Sequence, residues 1–165
     1  TRDFRKRLAR ALAARGVDEG RVAFLARAGH ADYLRVNELA DVMLDTLHWS
    51  GGNTSLDAIA MGLPVVTLPG AFMRGRQSAG MLQLAGAPDL IARDADEYVR
   101  LATRLGTDAA WRAGMRERLA AGAPGLFDVP APVEAPTTPP LSCAEAWPAS
   151  FVDALAWIRP KLVVK

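Results

Sequence analysis

The chain has 165 residues, of which 50% are hydrophobic and 23% charged, with a net charge of +2. That length fits one domain able to bury a core, and that composition is globular rather than disordered. The near-balanced charge, with no basic run interleaved with aromatics, argues against a nucleic-acid partner, and the one cysteine, Cys143, excludes an internal disulfide framework and suits a reducing, cytoplasmic compartment. No apolar stretch approaches the roughly 20 residues that span a bilayer, so no membrane partner is expected.

Phe4, Leu8, Leu12 and Ala13 recur at helical spacing among Arg and Lys and predict an N-terminal surface helix over 2–15, stopped by Gly16. This segment is basic and amphipathic and lacks the continuous apolar stretch of a secretory signal. Val22–Leu25 is a short apolar run with the length of a buried strand. Residues 31–40 predict a helix with Leu34 and Leu39 facing inward, and 41–46 a second strand. Trp49–Ser55 is a polar, glycine-rich loop that leads into a short helix ended by Gly62. Leu63–Leu68 is a third strand, with Pro64 near its start, where a missing N–H is tolerated. Gly70–Gly75 is a loop, Gln77–Leu84 a helix stopped by Gly86, and Asp89–Ala92 a fourth, short strand. Residues 94–121 carry one or two helices with a break expected at Gly106.

Strands that are continuous apolar runs, alternating with helices over short connections, predict an α/β fold with a doubly wound parallel sheet flanked by helices. The expected domain occupies residues 1–123. Seven prolines then fall within 124–148 and predict an extended linker or tail, and Phe151, Leu155 and Ile158 predict a last helix within 149–165.

In open α/β sheets, ligands bind beyond the C-terminal ends of the strands, which places Ser50–Ser55 at the functional edge. Gly51 and Gly52 let backbone approach a ligand closely. Asn53, Thr54 and Ser55 open the following helix, whose N–H groups and dipole favour an anion. Asp57, one turn on, can accept from a ribose diol. A diphosphate joined to a ribose matches this set. The same residues also admit a local reading, with Thr54-x-x-Asp57 as a capping box and Gly-Gly as a simple turn. No P-loop lysine and no G-x-G-x-x-G accompany them.

His30 sits at the same expected edge, and Arg74, Arg76 and Gln77 follow the third strand, where they can meet phosphates or an acceptor. Asp41 and Asp45 read as strand-end residues, Trp49 as a packing residue, and His48 as a candidate pocket wall. His30 and His48 have no metal-ligand spacing with carboxylates or cysteine, so no metal site is predicted.

Leu39–Thr46 resembles the L-A-D-x-x-L-D-T block of the O-linked N-acetylglucosamine transferase and SPINDLY family. Asn53–Ala58 is similar to its H-T-T-x-x-D segment, and Gly62–Thr67 to its A-G-x-P-V-x-T strand, in the same order and spacing over residues 1 to about 130. The resemblance implies the C-terminal, nucleotide-sugar-binding half of a GT-B glycosyltransferase, usually set behind tetratricopeptide repeats. It implies an inverting transfer of sugar from a UDP- or GDP-sugar, UDP-GlcNAc or a relative, to Ser or Thr of proteins, with no cofactor and no metal. Thr54 matches a threonine that donates to the diphosphate, Asp57 an aspartate that holds the ribose, and Gly51 the loop glycine. Gly52 replaces a histidine and Asn53 a threonine, while His30 falls near a lysine that lies against the base and Tyr33 near a histidine. The first strand of the domain and the acceptor-binding half are expected upstream of residue 1, so the chain on its own is expected to be inactive, and no catalytic residue is assigned within it. The alternatives are a non-catalytic nucleotide-binding or regulatory module with the same fold, and a nucleotide-sugar epimerase, against which the absent G-x-G-x-x-G counts.

Overall fold

Val65 and Val66 are β-branched and wholly buried, and they form the central strand of the sheet. The structure is a computed structural model that describes residues 2–127. Its strands are β1 (Met43–Leu44) and β2 (Val65–Val66), paired parallel with Met43 opposite Val65 and Leu44 opposite Val66. An isolated parallel bridge between Thr67 and Ile91 adds a third line on the far side of β2. The helices are α1 (Arg2–Ala13), α2 (His30–Leu39), α3 (Asn53–Ala60), α4 (Gln77–Leu84), α5 (Ala95–Thr107) and α6 (Ala109–Gly122). Short 3-10 turns occupy Glu19–Arg21, Met73–Gly75, Pro88–Leu90 and Ala123–Leu126.

The core lies between the sheet and helices α3 to α6. Ile59, Val65, Val66, Leu82, Leu105 and Leu119 are all fully buried there. Each such side chain contributes about 1.5–3 kcal/mol relative to exposure. Gly62 ends α3 in the left-handed region at φ 67°, and the Leu63 N–H reaches back to the Ala58 carbonyl at 2.8 Å. That turn delivers the chain directly into β2. At the other end of the core, a Cβ on Gly122 would meet the Ala85 carbonyl, so α6 crosses the end of α4 at glycine distance.

The parallel pairing expected of 41–46 and 63–68 is present, although the strands are shorter. Several expectations are corrected. The run 22–25 is not a strand; it has no ladder partner among the described residues, Leu25 is 69% exposed, and Phe24 stacks beneath the Arg5 guanidinium at 4.2 Å. Of the stretch 89–92, Asp89 and Leu90 lie in a 3-10 turn begun by Pro88, and Ile91 alone forms a bridge, parallel to Thr67, with main-chain bonds from Thr67 N–H to the Leu90 carbonyl and from Ala92 N–H to the Thr67 carbonyl. Leu39 is 84% exposed, and Asn37 is the buried residue of α2. Two positions along a helix turn by about 200°, so facing Asn37 inward faces Leu39 outward.

The long C-terminal helical region divides at Asp108 rather than Gly106. Asp108 caps α6 by accepting from the Trp111 N–H at 2.9 Å, which ends α5 one residue earlier. Ala123 is still buried, and Leu126 packs against the core, so close packing continues to the last described residues. The expected linker beyond residue 127 and the helix within 149–165 lie outside the described residues.

Candidate functional site

Parallel strands present their C-terminal ends at one edge, and Asp45 is the first residue beyond β1 at that edge. It is 5% exposed, and its carboxylate accepts four hydrogen bonds. Thr46 N–H (3.0 Å) and Gly51 N–H (2.7 Å) donate to Oδ1, while Ser50 Oγ (2.8 Å) and Thr67 Oγ1 (2.7 Å) donate to Oδ2. The Tyr98 hydroxyl, from α5, donates to the Asp45 carbonyl at 2.8 Å. Burial pushes that phenol above its ordinary range, with the Asp45 charge adding to the effect, so it remains a donor.

The network continues into α3 and α4. Ser78 Oγ lies 2.8 Å from both Ser50 Oγ and Ser55 Oγ, and Ser78 N–H donates to Ser50 Oγ at 2.9 Å. Ser50, Ser55, Thr67 and Ser78 are all buried. Polar contacts thus tie the loop after β1 to Thr67, just beyond β2, and to α4, and tie α4 in turn to α3.

Gly51 belongs to this inner layer, since its N–H is spent on Asp45 and a Cβ there would meet Ser55 Oγ and Thr54 Oγ1. Ser55, expected to offer its hydroxyl to a ligand, instead turns it inward to Ser78. Gly52 is the N-cap residue of α3 and gives no side-chain cap, so the capping-box reading of Thr54 and Asp57 is not realised. Asn53 and Thr54 are exposed in the first turn, where helical N–H groups have no partner within the helix. An open cleft of about 460 Å³ lies beside them, lined by His30, Asn53, Leu56, Asp57 and Phe127. The structure thus gathers His30, Asn53, Thr54 and Asp57 at one place.

Tyr33 reaches the same turn, its hydroxyl donating to the Thr54 carbonyl at 3.5 Å. Gln77 lies against Gly52, where a Cβ would sit 3.1 Å from its Oε1, and its amide donates to Met73 Sδ at 3.6 Å. Arg76 donates to the Gly70 carbonyl at 3.0 Å, and Arg74 stacks on the Phe72 ring at 4.7 Å. Both arginines are exposed on the loop after β2 and line no part of the cleft beside α3. His48 is half-buried, whereas Trp49, read as a packing residue, is 70% exposed. Among the described residues, no group of three or more His, Cys, Asp or Glu could hold a metal ion, and no helix is long and apolar enough to cross a membrane.

Sequence reasoning did not find the inner layer. Asp45 read as a strand end, while Asp41, its apparent equivalent, pairs at the surface with Arg112 at 3.4 Å. Position alone could not separate them. The available signal was the hydroxyl at Ser50, five residues on; Ser78 and Tyr98 are brought in by tertiary folding.

The sequence pattern of glycosyl transferase family 41 matches residues 4–131. The UDP-N-acetylglucosamine–peptide N-acetylglucosaminyltransferase of Caenorhabditis elegans is 39% identical over 117 residues, which cover 70% of this chain and 10% of that protein. The probable SPINDLY enzyme of Petunia hybrida is 33% identical over 88 residues, covering 53% and 9%. Among solved structures, a mutant O-GlcNAc transferase of Thermobaculum terrenum superposes with a TM-score of 0.65 at 39% identity, covering 75% of this chain and 26% of that one. The chain spans about a tenth of the length of the curated relatives it matches.

Proposed function

This chain belongs to glycosyl transferase family 41 and carries part of its GT-B fold, and on that premise we propose that residues 1–123 form the nucleotide-sugar-binding domain of an inverting protein O-glycosyltransferase. The observation that carries the reading is the uncapped N-terminus of α3. It opens at the C-terminal edge of a parallel sheet, with Thr54 exposed in its first turn and Asp57 in the adjoining cleft.

The donor diphosphate docks on the first-turn N–H groups and the Thr54 hydroxyl, where the helix dipole favours its charge. Asp57 accepts from the ribose, and the base lies toward His30. During transfer, an acceptor serine or threonine attacks the anomeric carbon opposite the leaving group. The C–O bond to the diphosphate breaks, and its electron pair leaves with the nucleotide. The added negative charge falls on the oxygens facing α3, so this turn stabilises the transition state more than the ground state. Neither a metal nor a cofactor enters this reading, because the helix terminus and hydroxyl meet the diphosphate charge directly. The acceptor site and the general base belong to parts of the enzyme beyond these residues, so the isolated chain is inactive. The single cysteine supports a cytoplasmic setting.

The test supplies the full-length protein with UDP-GlcNAc or a GDP-sugar and an acceptor protein, and follows sugar attachment by mass spectrometry and the anomeric configuration by NMR. Transfer from one of these donors, with inverted anomeric configuration, is the expected result. A folded protein that transfers from neither overturns the reading. No observation favours a non-catalytic module.

A further inference from the structure

We infer that Asp45 is a positioning residue for the donor loop, setting the direction of a buried hydrogen-bond chain that fixes the first turn of α3; this rests on the donor-site reading above. Asp45, Ser50, Ser55, Thr67 and Ser78 are each at least nine-tenths buried. None of them lines the open cleft, so their effect on it passes through the loop backbone.

The direction follows from donor and acceptor chemistry. A carboxylate only accepts, and a hydroxyl has a single proton. Ser50 gives its proton to Asp45, which leaves Ser50 Oγ to accept from the Ser78 N–H at 2.9 Å. Ser78 Oγ also approaches the Gly51 carbonyl at 3.3 Å, while Gly51 N–H points at Asp45. Both polar groups of Gly51 are thereby fixed immediately before the N-cap. Ser55, inside the first turn, is held by Ser78 at 2.8 Å. Thr54 stands between these two fixed points. Thr67, just beyond β2, and Tyr98, from α5, brace Asp45.

Asp45→Asn keeps the shape but brings an N–H₂ group to a place that receives only donors. Oδ1 of the asparagine can serve the Gly51 and Thr46 N–H groups only if its amide faces Thr67 and Ser50. Both hydroxyls must then accept, and Ser50 must send its proton elsewhere. Thr67→Val removes one donor at nearly constant shape, and Thr67→Ser restores it.

The experiment uses the full-length protein and measures UDP and GDP affinity by calorimetry, with amide exchange over 50–55 in the absence of ligand. Asp45→Asn should weaken nucleotide binding about tenfold or more, as expected for a misplaced charge-assisted contact. Amide exchange of the loop should accelerate in parallel. Thr67→Val should show a smaller loss of the same kind, and Thr67→Ser should recover affinity. Leu105→Ala, destabilised within the apolar core, should leave affinity within about twofold of wild type while folded, which separates positioning from general stability. If Asp45→Asn fails to fold, the Thr67 pair decides. Should folded Asp45→Asn, or Thr67→Val in its place, bind as wild type while Thr54→Ala is weakened, the positioning role is wrong and the donor site stands. Should Thr54→Ala also bind as wild type, the donor-loop reading itself fails, and this inference with it.

Discussion

Two loops leave the same edge of the sheet, one after β1 and one after β2, and they are built from different materials. The first buries Asp45 and Ser50 and satisfies them with its own Ser50 hydroxyl and Gly51 N–H together with groups of Thr67, Ser78 and Tyr98. The second exposes Phe72, Met73, Arg74 and Arg76 around a 3-10 turn, and only Gly75 within that turn is buried. One main-chain bond, Ser50 N–H to the Arg74 carbonyl at 2.7 Å, joins them. A loop that must hold a charged ligand in fixed geometry needs its own polar groups oriented beforehand, and buried partners do that at the cost of sensitivity to substitution. A solvated loop tolerates change and can adapt to whatever meets it.

The largest effect expected from this difference is on stability. Asp45→Ala strips four donors of their acceptor, two of them the buried hydroxyls of Ser50 and Thr67, and each unsatisfied buried group costs about 1–3 kcal/mol. Urea unfolding should show a loss of about 3 kcal/mol or more. A loss below about 1 kcal/mol would mean that the network relaxes freely.

Glycines sharpen the contrast. Gly51→Ala must displace Ser55 or Thr54, and we expect about 1–3 kcal/mol of destabilisation together with weaker nucleotide binding. Gly70→Ala, in the second loop, meets nothing nearer than 3.7 Å and should change stability by no more than about 0.5 kcal/mol. Equal effects at both positions would erase the distinction.

A half-buried carboxylate paired with an exposed arginine behaves differently from Asp45. Glu97 is held at about 2, chiefly by the Arg93 side chain and also by the Arg93 N–H. Its folded value lies below its ordinary 4.5, so its contribution to stability is complete above that value and fades as pH falls toward 2. In Arg93→Ala, titration followed by NMR should move Glu97 back toward 4.5. Salt of about 1 M should weaken the wild-type pair by screening. An unmoved Glu97 in that variant would assign its shift to another partner. The smallest change should come from Met73→Ala, whose side chain is 76% exposed; thermal unfolding should be nearly that of wild type.

The sequence disclosed what depends on local pattern and adjacent residues. Helix stops at Gly62 and Gly86 follow from their left-handed backbone, and α4 occupies the residues its spacing predicted. The loop at 50–55 could be located because glycines and hydroxyls crowd the end of an apolar strand. The inward turn of Ser55 and the burial of Asp45 were not legible, since their partners Ser78, Thr67 and Tyr98 lie 22 to 53 residues away. The run 22–25 misled for the same reason: an apolar segment becomes a strand only when another strand supplies its hydrogen bonds.

The central claim, that the first turn of α3 holds the donor diphosphate, is met most directly by titrating UDP and GDP into the full-length protein and its Thr54→Ala and Asp57→Asn variants. Thr54 caps nothing, so its truncation should leave stability near wild type. Losing a charge-assisted bond to phosphate should weaken the preferred nucleotide roughly tenfold to a hundredfold. Asp57→Asn should weaken it less, and the deficit should shrink for the corresponding 2′,3′-dideoxy nucleotide, which lacks the diol that Asp57 holds. If both variants stay folded and bind as tightly as wild type, the donor lies elsewhere and the site assignment is wrong.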